Sequence, residues 1–108
     1  MIAIEFRDAA TFSLFDLGEY FSSVANVHLA RRWNAAVDKN VRLLRDFPKL
    51  GSPCFFRHPD LEGLRRLSIQ GFPQYLLFYR YFEAESRILI FDIVHGARDL
   101  EPLLSATP

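Results

Sequence analysis

Residues 75–95 read YLLFYRYFEAESRILIFDIVH, two apolar runs separated by a short polar segment. Runs rich in β-branched and aromatic residues predict strands, here over residues 75–82 and 87–95. The four residues between them, 83–86, have the right number and polarity for a hairpin turn. Residues 75–95 therefore predict a β-hairpin.

Both faces of this predicted hairpin are largely apolar when Phe82 faces Arg87 across the turn. One face carries Leu76, Phe78, Arg80, Leu89, Phe91, Ile93 and His95. The other carries Tyr75, Leu77, Tyr79, Tyr81, Ile88, Ile90, Asp92 and Val94. A sheet of this kind is covered on both sides, and one layer of helices covers only one of them. We expect the C-terminal tail, a second copy of the chain or a partner chain to cover the other.

Two amphipathic helices are predicted upstream of the hairpin. Apolar residues recur at helical spacing over residues 9–22, with Asp8 as the N-cap. A longer periodic segment covers residues 27–47, with Asn26 as its N-cap. Pro48 ends this segment because proline has no backbone N–H to donate. We expect the two helices to pack as an antiparallel hairpin.

Shorter segments complete the pattern. Residues 2–6 and 64–69 predict strands, residues 49–63 an extended loop and residues 70–74 a turn. At 108 residues the chain is long enough for one domain, which we expect to cover residues 1–108. The predicted class is α+β: an N-terminal strand and an antiparallel helix hairpin packed on a small antiparallel sheet, followed by a short C-terminal tail or helix.

Composition excludes several classes of protein. Half of the residues are hydrophobic and 24% are charged, which excludes a disordered chain. No apolar run approaches the ~20 residues of a membrane-spanning helix, and no signal sequence opens the chain. The single cysteine, Cys54, excludes an internal disulfide framework and a multi-cysteine zinc site. We therefore expect a cytoplasmic protein that uses no metal and no cofactor and does not bind a membrane.

The net charge is zero but unevenly distributed. Residues 31–66 carry nine basic and four acidic side chains, whereas the segments on either side are acidic. A basic middle segment suits an acidic partner, and overall neutrality argues against indiscriminate binding of nucleic acid.

The first predicted helix has aromatic residues on its polar side. Phe12 and Phe15 fall opposite its apolar stripe, beside Thr11 and Glu19. Two exposed aromatic side chains on one helix indicate contact with a partner. Local packing against a neighbouring loop is the alternative.

Basic residues mark several predicted strand ends. Arg65 and Arg66 begin one strand, Arg80 lies near the end of the next, and His95 and Arg98 follow the last. Guanidinium and imidazole groups at neighbouring strand ends would bind a phosphate and transfer a proton. The alternative is that these residues pair with carboxylates and hold the tail against the sheet: Asp92, Asp99 and Glu101.

Five short motifs in this order are similar to those of a known superfamily. They are Pro48-Lys49-Leu50-Gly51, Gly63-Leu64-Arg65-Arg66, Gly71-Phe72, Tyr75-Leu76-Leu77-Phe78-Tyr79-Arg80 and His95-Gly96-Ala97-Arg98-Asp99-Leu100. The series resembles the RelE/ParE toxin superfamily from the first strand to Leu104. Within that superfamily it is most similar to the ParE-type toxins. The resemblance implies the toxin of a type II toxin–antitoxin pair, which a cognate antitoxin neutralises in a hetero-oligomeric complex.

The resemblance implies one of two activities. RelE-like members cleave ribosome-bound mRNA, and in them an arginine commonly stands where this chain has Leu76. Leucine offers neither charge nor donors to a phosphorane-like transition state. ParE-like members are known as inhibitors of DNA gyrase, which is the function we expect, exerted by binding. The alternatives are a ribosome-dependent mRNA endoribonuclease using Arg65, His95 and Arg98, or an inactive homologue within an antitoxin or repressor complex.

No catalytic residue is assigned under the gyrase interpretation. The residues expected to contact the antitoxin or the target are Phe12, Phe15, Arg65, Leu76, Phe78, Arg80, Phe91, His95 and Arg98.

Overall fold

The hairpin predicted from residues 75–95 forms the centre of the molecule. The structure is a computed structural model that describes residues 1–105. Its elements are β1 (Ala3–Phe6), α1 (Asp8–Val24), α2 (Val27–Asp46), β2 (Ser52–Pro53), β3 (Leu64–Ile69), β4 (Phe72–Phe82), β5 (Arg87–His95) and α3 (Leu100–Ser105). Short 3₁₀ turns occur at Pro59–Leu61 and Glu83–Glu85.

The five strands form one sheet in the order β1-β5-β4-β3-β2. All neighbours are antiparallel except β1, which pairs parallel to β5. Phe82 pairs with Arg87, the pairing on which the two predicted faces of the hairpin were based. The β3–β4 turn is shorter than predicted, because β4 begins at Phe72 and not at Tyr75.

A β-bulge divides the hairpin into two halves. Phe78 pairs with Asp92 and Tyr79 with Ile90, which leaves Phe91 as an extra residue on β5. Beyond such a residue the alternation of side chains is displaced by one position. Ile93 therefore packs in the core beneath the helices, Val94 packs on the opposite face, and His95 pairs with Tyr75. The faces predicted for these three residues from strict alternation are wrong.

The two helices form the predicted antiparallel hairpin and cover one face of the sheet. Asn26 caps α2 as predicted, since its side-chain oxygen accepts a hydrogen bond from the Leu29 amide at 2.9 Å. The cap predicted for α1 is wrong: Arg7 occupies the N-cap position without a side-chain bond, and Asp8 is the first helical residue. A carboxylate in the first turn still interacts favourably with the helix dipole.

The first core lies between the helix hairpin and the sheet. Its centre is an aromatic cluster of Phe21, Trp33, Phe72 and Tyr75, with ring centroids 5.2–5.5 Å apart. Trp33 is fully buried, and its indole N–H donates to the Leu14 carbonyl at 3.3 Å. Aromatic pairs at these separations stabilise a core beyond the area that they bury.

A second core covers the opposite face of the sheet. It consists of Leu61, Leu64, Phe78, Phe91, Val94 and Leu104. Cys54 and Phe56 from the long loop, and Leu100 and Leu103 from α3, pack against it. Of the three covers expected for this face, the chain itself supplies one through α3 and the loop. Phe78 and Phe91 are buried as a result, so the expectation that they form part of an open contact surface is wrong.

None of the helices within residues 1–105 combines the length and hydropathy that a membrane-spanning segment requires.

Candidate functional site

The outer side of α1 presents the exposed aromatic pair predicted from the sequence. Phe12 and Phe15 are three residues apart on the helix and are 71% and 67% exposed. Side chains at this spacing lie next to each other on a helix surface. The expectation of two solvent-accessible aromatic rings on this helix is confirmed, and no loop among residues 1–105 covers them.

Phe12 borders a groove of about 580 Å³ that runs between α1 and α3 over β5. We refer to it as the α1–α3 groove. The other residues that line it are Asp8, Ala9, Ser13, Asp92, Val94 and Leu103. The groove has an apolar wall with a few polar groups, a common character of binding sites in proteins.

Asp92 is the buried polar group of this groove. Its Oδ1 accepts hydrogen bonds from the Ser13 hydroxyl at 2.7 Å and from the Ile93 amide at 2.8 Å. Burial raises the pKa of the Asp92 carboxyl, although both hydrogen bonds and the positive charge of Arg7 act in the opposite direction. Through these hydrogen bonds Asp92 connects α1 to the part of β5 that follows the bulge at Phe91.

Arg7 holds the outer edge of β5 where β1 ends. Its backbone amide donates to the Ile90 carbonyl at 2.9 Å, and its Nε donates to the Phe91 carbonyl at 3.1 Å. The guanidinium carbon lies 3.7 Å from the centroid of the Phe91 ring. The Ile93 amide donates to the Asp92 carboxylate. Beyond the end of β1, two backbone groups of β5, the Phe91 carbonyl and the Ile93 amide, are therefore hydrogen-bonded to side chains.

Arg65 is engaged in a structural network at the end of α2. Its guanidinium donates to the Gly51 carbonyl at 2.8 Å. The Tyr79 hydroxyl donates to the Pro48 carbonyl and accepts from the Gly51 amide, both at 2.8 Å. A Cβ on Gly51 would lie 2.6 Å from the Tyr79 ring, so only glycine fits this close approach. The first motif of the resemblance is therefore held in place by β3 and β4.

The predicted cluster of basic residues does not assemble. Arg65 pairs with Tyr79 near one end of β4, whereas His95 pairs with Tyr75 near the other. Four strand positions separate these pairs, which corresponds to about 13 Å along the strand. Arg66 and Arg80 lie at the Arg65 end and Arg98 follows His95, so the five residues form two separate groups. A single site containing all of them was a wrong prediction.

The His95 group lies at the open end of the hairpin. The imidazole Nδ1 accepts a hydrogen bond from the Ala97 amide at 3.1 Å, and the ring meets Tyr75 edge-on at 5.1 Å. Arg98 is exposed beside it, and its amide donates to the His95 carbonyl at 3.2 Å. Leu76 is half-buried and packs against the second core. The His95 group therefore contains one cation, Arg98, and one imidazole, His95. No arginine of the Arg65 group joins it.

Sequence reasoning missed Arg7 and the role of Asp92. Arg7 is the only arginine or lysine among residues 1–30, and this isolation was the available signal. Asp92 stands alone among apolar residues of β5, where a carboxylate must find hydrogen-bond donors. For the part of the chain described, no three side chains of histidine, cysteine, aspartate or glutamate come together in a way that could hold a metal ion.

Comparison with known proteins agrees with the fold described above. Residues 4–100 match the family model described as the ParE toxin of a type II toxin–antitoxin system, parDE. A solved chain from the chromosomal ParDE toxin–antitoxin system of P. aeruginosa is similar in fold, with a TM-score of 0.70 and 16% sequence identity. The match covers 88% of this chain and 96% of that one. No curated protein matches the sequence.

Proposed function

The chain belongs to the family of ParE toxins of type II toxin–antitoxin systems, and from this membership we propose that it inhibits DNA gyrase by binding. A cognate antitoxin neutralises it by covering its surface in a hetero-oligomeric complex. The toxin acts as a stoichiometric ligand of its target and has no chemical step of its own.

The separation of the basic residues is the observation that carries this proposal. Cleavage of a phosphodiester requires an acid or base within hydrogen-bond reach of the reacting oxygen, and cations at the same phosphate. His95 and Arg65 belong to pairs that lie about 13 Å apart along β4. Leu76, which stands between them on the strand, carries no charge. This arrangement favours binding over ribonuclease chemistry.

The exposed face of α1 is the surface that we assign to the antitoxin. Phe12 and Phe15 place two aromatic rings in solvent, and Phe12 borders the α1–α3 groove. Aromatic side chains beside a groove are typical anchors of protein interfaces. An antitoxin segment with apolar side chains would bury both rings and fill the groove. The proposed binding role of Arg65, Arg80, His95 and Arg98 stays a prediction.

A gyrase supercoiling assay with the purified, folded toxin tests the function. We expect dose-dependent inhibition that stoichiometric antitoxin reverses. The variant His95→Ala/Arg98→Ala serves as the comparison: because these residues are expected to contact the target, it should act only through affinity, so that inhibition is weakened but is still reached at higher toxin concentration.

A contrary outcome is equally well defined. If the folded toxin leaves supercoiling unchanged but cleaves ribosome-bound mRNA, and if cleavage is lost in His95→Ala/Arg98→Ala, the proposed function is wrong. The protein is then a ribosome-dependent endoribonuclease.

A further inference from the structure

A second concave site shares no lining residue with the α1–α3 groove and lies where the end of α3 meets the 3₁₀ turn Pro59–Leu61. It is a pocket of about 420 Å³ lined by Arg7, Arg80 and Phe91 together with Pro59, Asp60, Leu104 and Ser105. Two guanidinium groups thus share one small cavity, which neither the family nor the proposed function explains.

Arg80 lacks an anionic partner. Its Nη2 donates to the Asp60 carbonyl at 2.9 Å, and its ring contact with Phe82 is distant, at 5.9 Å. Within residues 1–105 no carboxylate lies within ion-pair distance of it. Its Nε is buried, yet finds no hydrogen-bond acceptor among the same residues. A buried donor without an acceptor destabilises the unliganded protein, so a ligand that accepts a hydrogen bond from it would gain affinity.

Arg7 is fixed in the same cavity by different contacts. Its Nε bond to the Phe91 carbonyl and its stacking on the Phe91 ring hold the guanidinium plane in place. The pKa of Arg7 is lowered chiefly by burial; the charge of Asp92 raises it, and the positive charge of Arg80 lowers it further. The two cations therefore repel each other across the pocket, and an anion between them would relieve this repulsion.

We propose that the pocket between Arg7 and Arg80 binds a phosphate group. A phosphate carries up to two negative charges, which match the two guanidinium groups, and its several oxygens can accept from both of them at once. A carboxylate has one charge and two oxygens. The pocket is also wider than an isolated phosphate ion needs, because a volume of this size lies in the range of small-molecule sites. The free ion and a phosphate ester such as a nucleotide are thus both possible sources of the group.

Calorimetric titration of the full-length chain at constant ionic strength tests the proposal. The ligands are inorganic phosphate, adenosine monophosphate and acetate, with chloride balancing the ionic strength. We expect saturable binding of one equivalent of phosphate or of the nucleotide, at least tenfold tighter than acetate. Tighter binding of the free ion would identify it as the ligand, and tighter binding of the nucleotide would identify an ester.

Substitution of one arginine connects the binding to this pocket. Arg80→Met should weaken binding at least tenfold, whereas Arg42→Met, which removes an exposed arginine paired with Asp38, should change it less than twofold. Arg80→Lys keeps the charge but not the planar fork and should weaken binding about three- to tenfold. If circular dichroism shows that Arg80→Met does not fold, the binding measured with Arg80→Lys tests the proposal in its place.

Three results would overturn the proposal. They are the absence of saturable binding, acetate binding as tight as phosphate, and equal effects of the substitutions at residues 42 and 80. The gyrase assay is independent of all three, so failure here leaves the proposed function unaffected.

Discussion

The Tyr79 hydroxyl is the single group on which the turn after α2 depends most. It lies in the first core and makes two hydrogen bonds at 2.8 Å, to the Pro48 carbonyl and from the Gly51 amide. Burial raises the pKa of Tyr79, against the lowering effects of the Gly51 bond and the Arg65 charge, so the hydroxyl keeps its proton at neutral pH. A protonated hydroxyl can donate and accept at the same time, which this turn requires.

Tyr79→Phe should lower the free energy of unfolding by about 1–3 kcal/mol, because it leaves the buried Gly51 amide without an acceptor. Urea unfolding followed by circular dichroism measures the change. Tyr81→Phe is the matched control, since Tyr81 is only half-buried on the same strand and should lose less than about 0.5 kcal/mol. Equal losses in the two variants would contradict the role given to the hydroxyl.

Asp92 makes stability depend on pH. Because the folded-state pKa is raised, the folded protein holds this proton more tightly than the unfolded chain does. The stability that protonated Asp92 contributes is therefore present at low pH. It is lost as the pH rises from the ordinary carboxyl range through the raised folded-state pKa.

Asp92→Asn should gain stability relative to the unchanged chain at pH 7.5 but not at pH 3.5. The amide oxygen still accepts from Ser13 and from the Ile93 amide, and the side chain cannot ionise. Urea unfolding at the two pH values measures the difference. Asp16→Asn, on the exposed side of α1, should show the same small change at both pH values. A pH-independent effect at residue 92 would contradict this explanation.

At the scale of elements, α1 has two distinct surfaces. Ala10 and Phe21 are buried against the core, whereas Phe12 and Phe15 point into solvent. A helix of a globular protein ordinarily presents polar side chains on its outer face. The exposed rings add nothing to the packing of this chain, so their effect should appear in the complex.

Phe12→Ala/Phe15→Ala should weaken antitoxin binding by about 2 kcal/mol or more, the scale of interface anchors, with little change in the stability of the toxin. Surface plasmon resonance with immobilised antitoxin measures the affinity. Phe47→Ala is the control, because Phe47 is equally apolar and 60% exposed but lies at the end of α2. If the double variant binds the antitoxin normally, the face of α1 is not the antitoxin surface.

The bulge in β5 is a second feature that acts at the level of a single element. Phe91 packs in the second core, as alternation predicts, and the extra residue brings Ile93 back to the first. Without the extra residue, strict alternation would place Ile93 and His95 on the Phe91 face. The bulge thus decides which residues of the last strand face the helices.

At the scale of the whole molecule, α3 completes the fold. Leu104 is fully buried in the second core, and the Glu101 carboxylate accepts a hydrogen bond from the His58 amide at 2.6 Å. These contacts join the end of the described chain to the long loop and cover the sheet face that the helix hairpin leaves open. The C-terminal helix is therefore a structural part of the domain.

Leu104→Ala should lower the free energy of unfolding by about 2–5 kcal/mol, the range for a buried leucine truncated to alanine. Chemical denaturation measures it, with dye binding as a report of exposed apolar surface. Leu50→Ala, at a leucine that is 48% exposed, should cost far less. A small effect at residue 104 would mean that α3 is not needed to close the second core.

Most of the elements could be predicted from the sequence, because they depend on neighbours a few residues apart; β2 (Ser52–Pro53) was not, since it lies in the predicted loop and pairs with β3 over only two residues. Helical spacing identified α1 and α2, and the side chain of Asn26 identified where α2 begins. The turn length set the pairing of Phe82 with Arg87, since a short turn leaves little choice of register next to it. Two apolar faces on the hairpin likewise indicated that both would be covered.

Other features were decided only by tertiary structure. Phe91, the extra residue of the bulge, packs among residues from α3 and the long loop, and the local sequence carries no sign of the bulge. Whether basic strand ends meet depends on strand order and direction, which separated Arg65 from His95. The pocket that joins Arg7 to Arg80 brings together residues 73 positions apart. Such contacts arise from packing of the whole chain, whereas sequence periodicity reports only the contacts within one element.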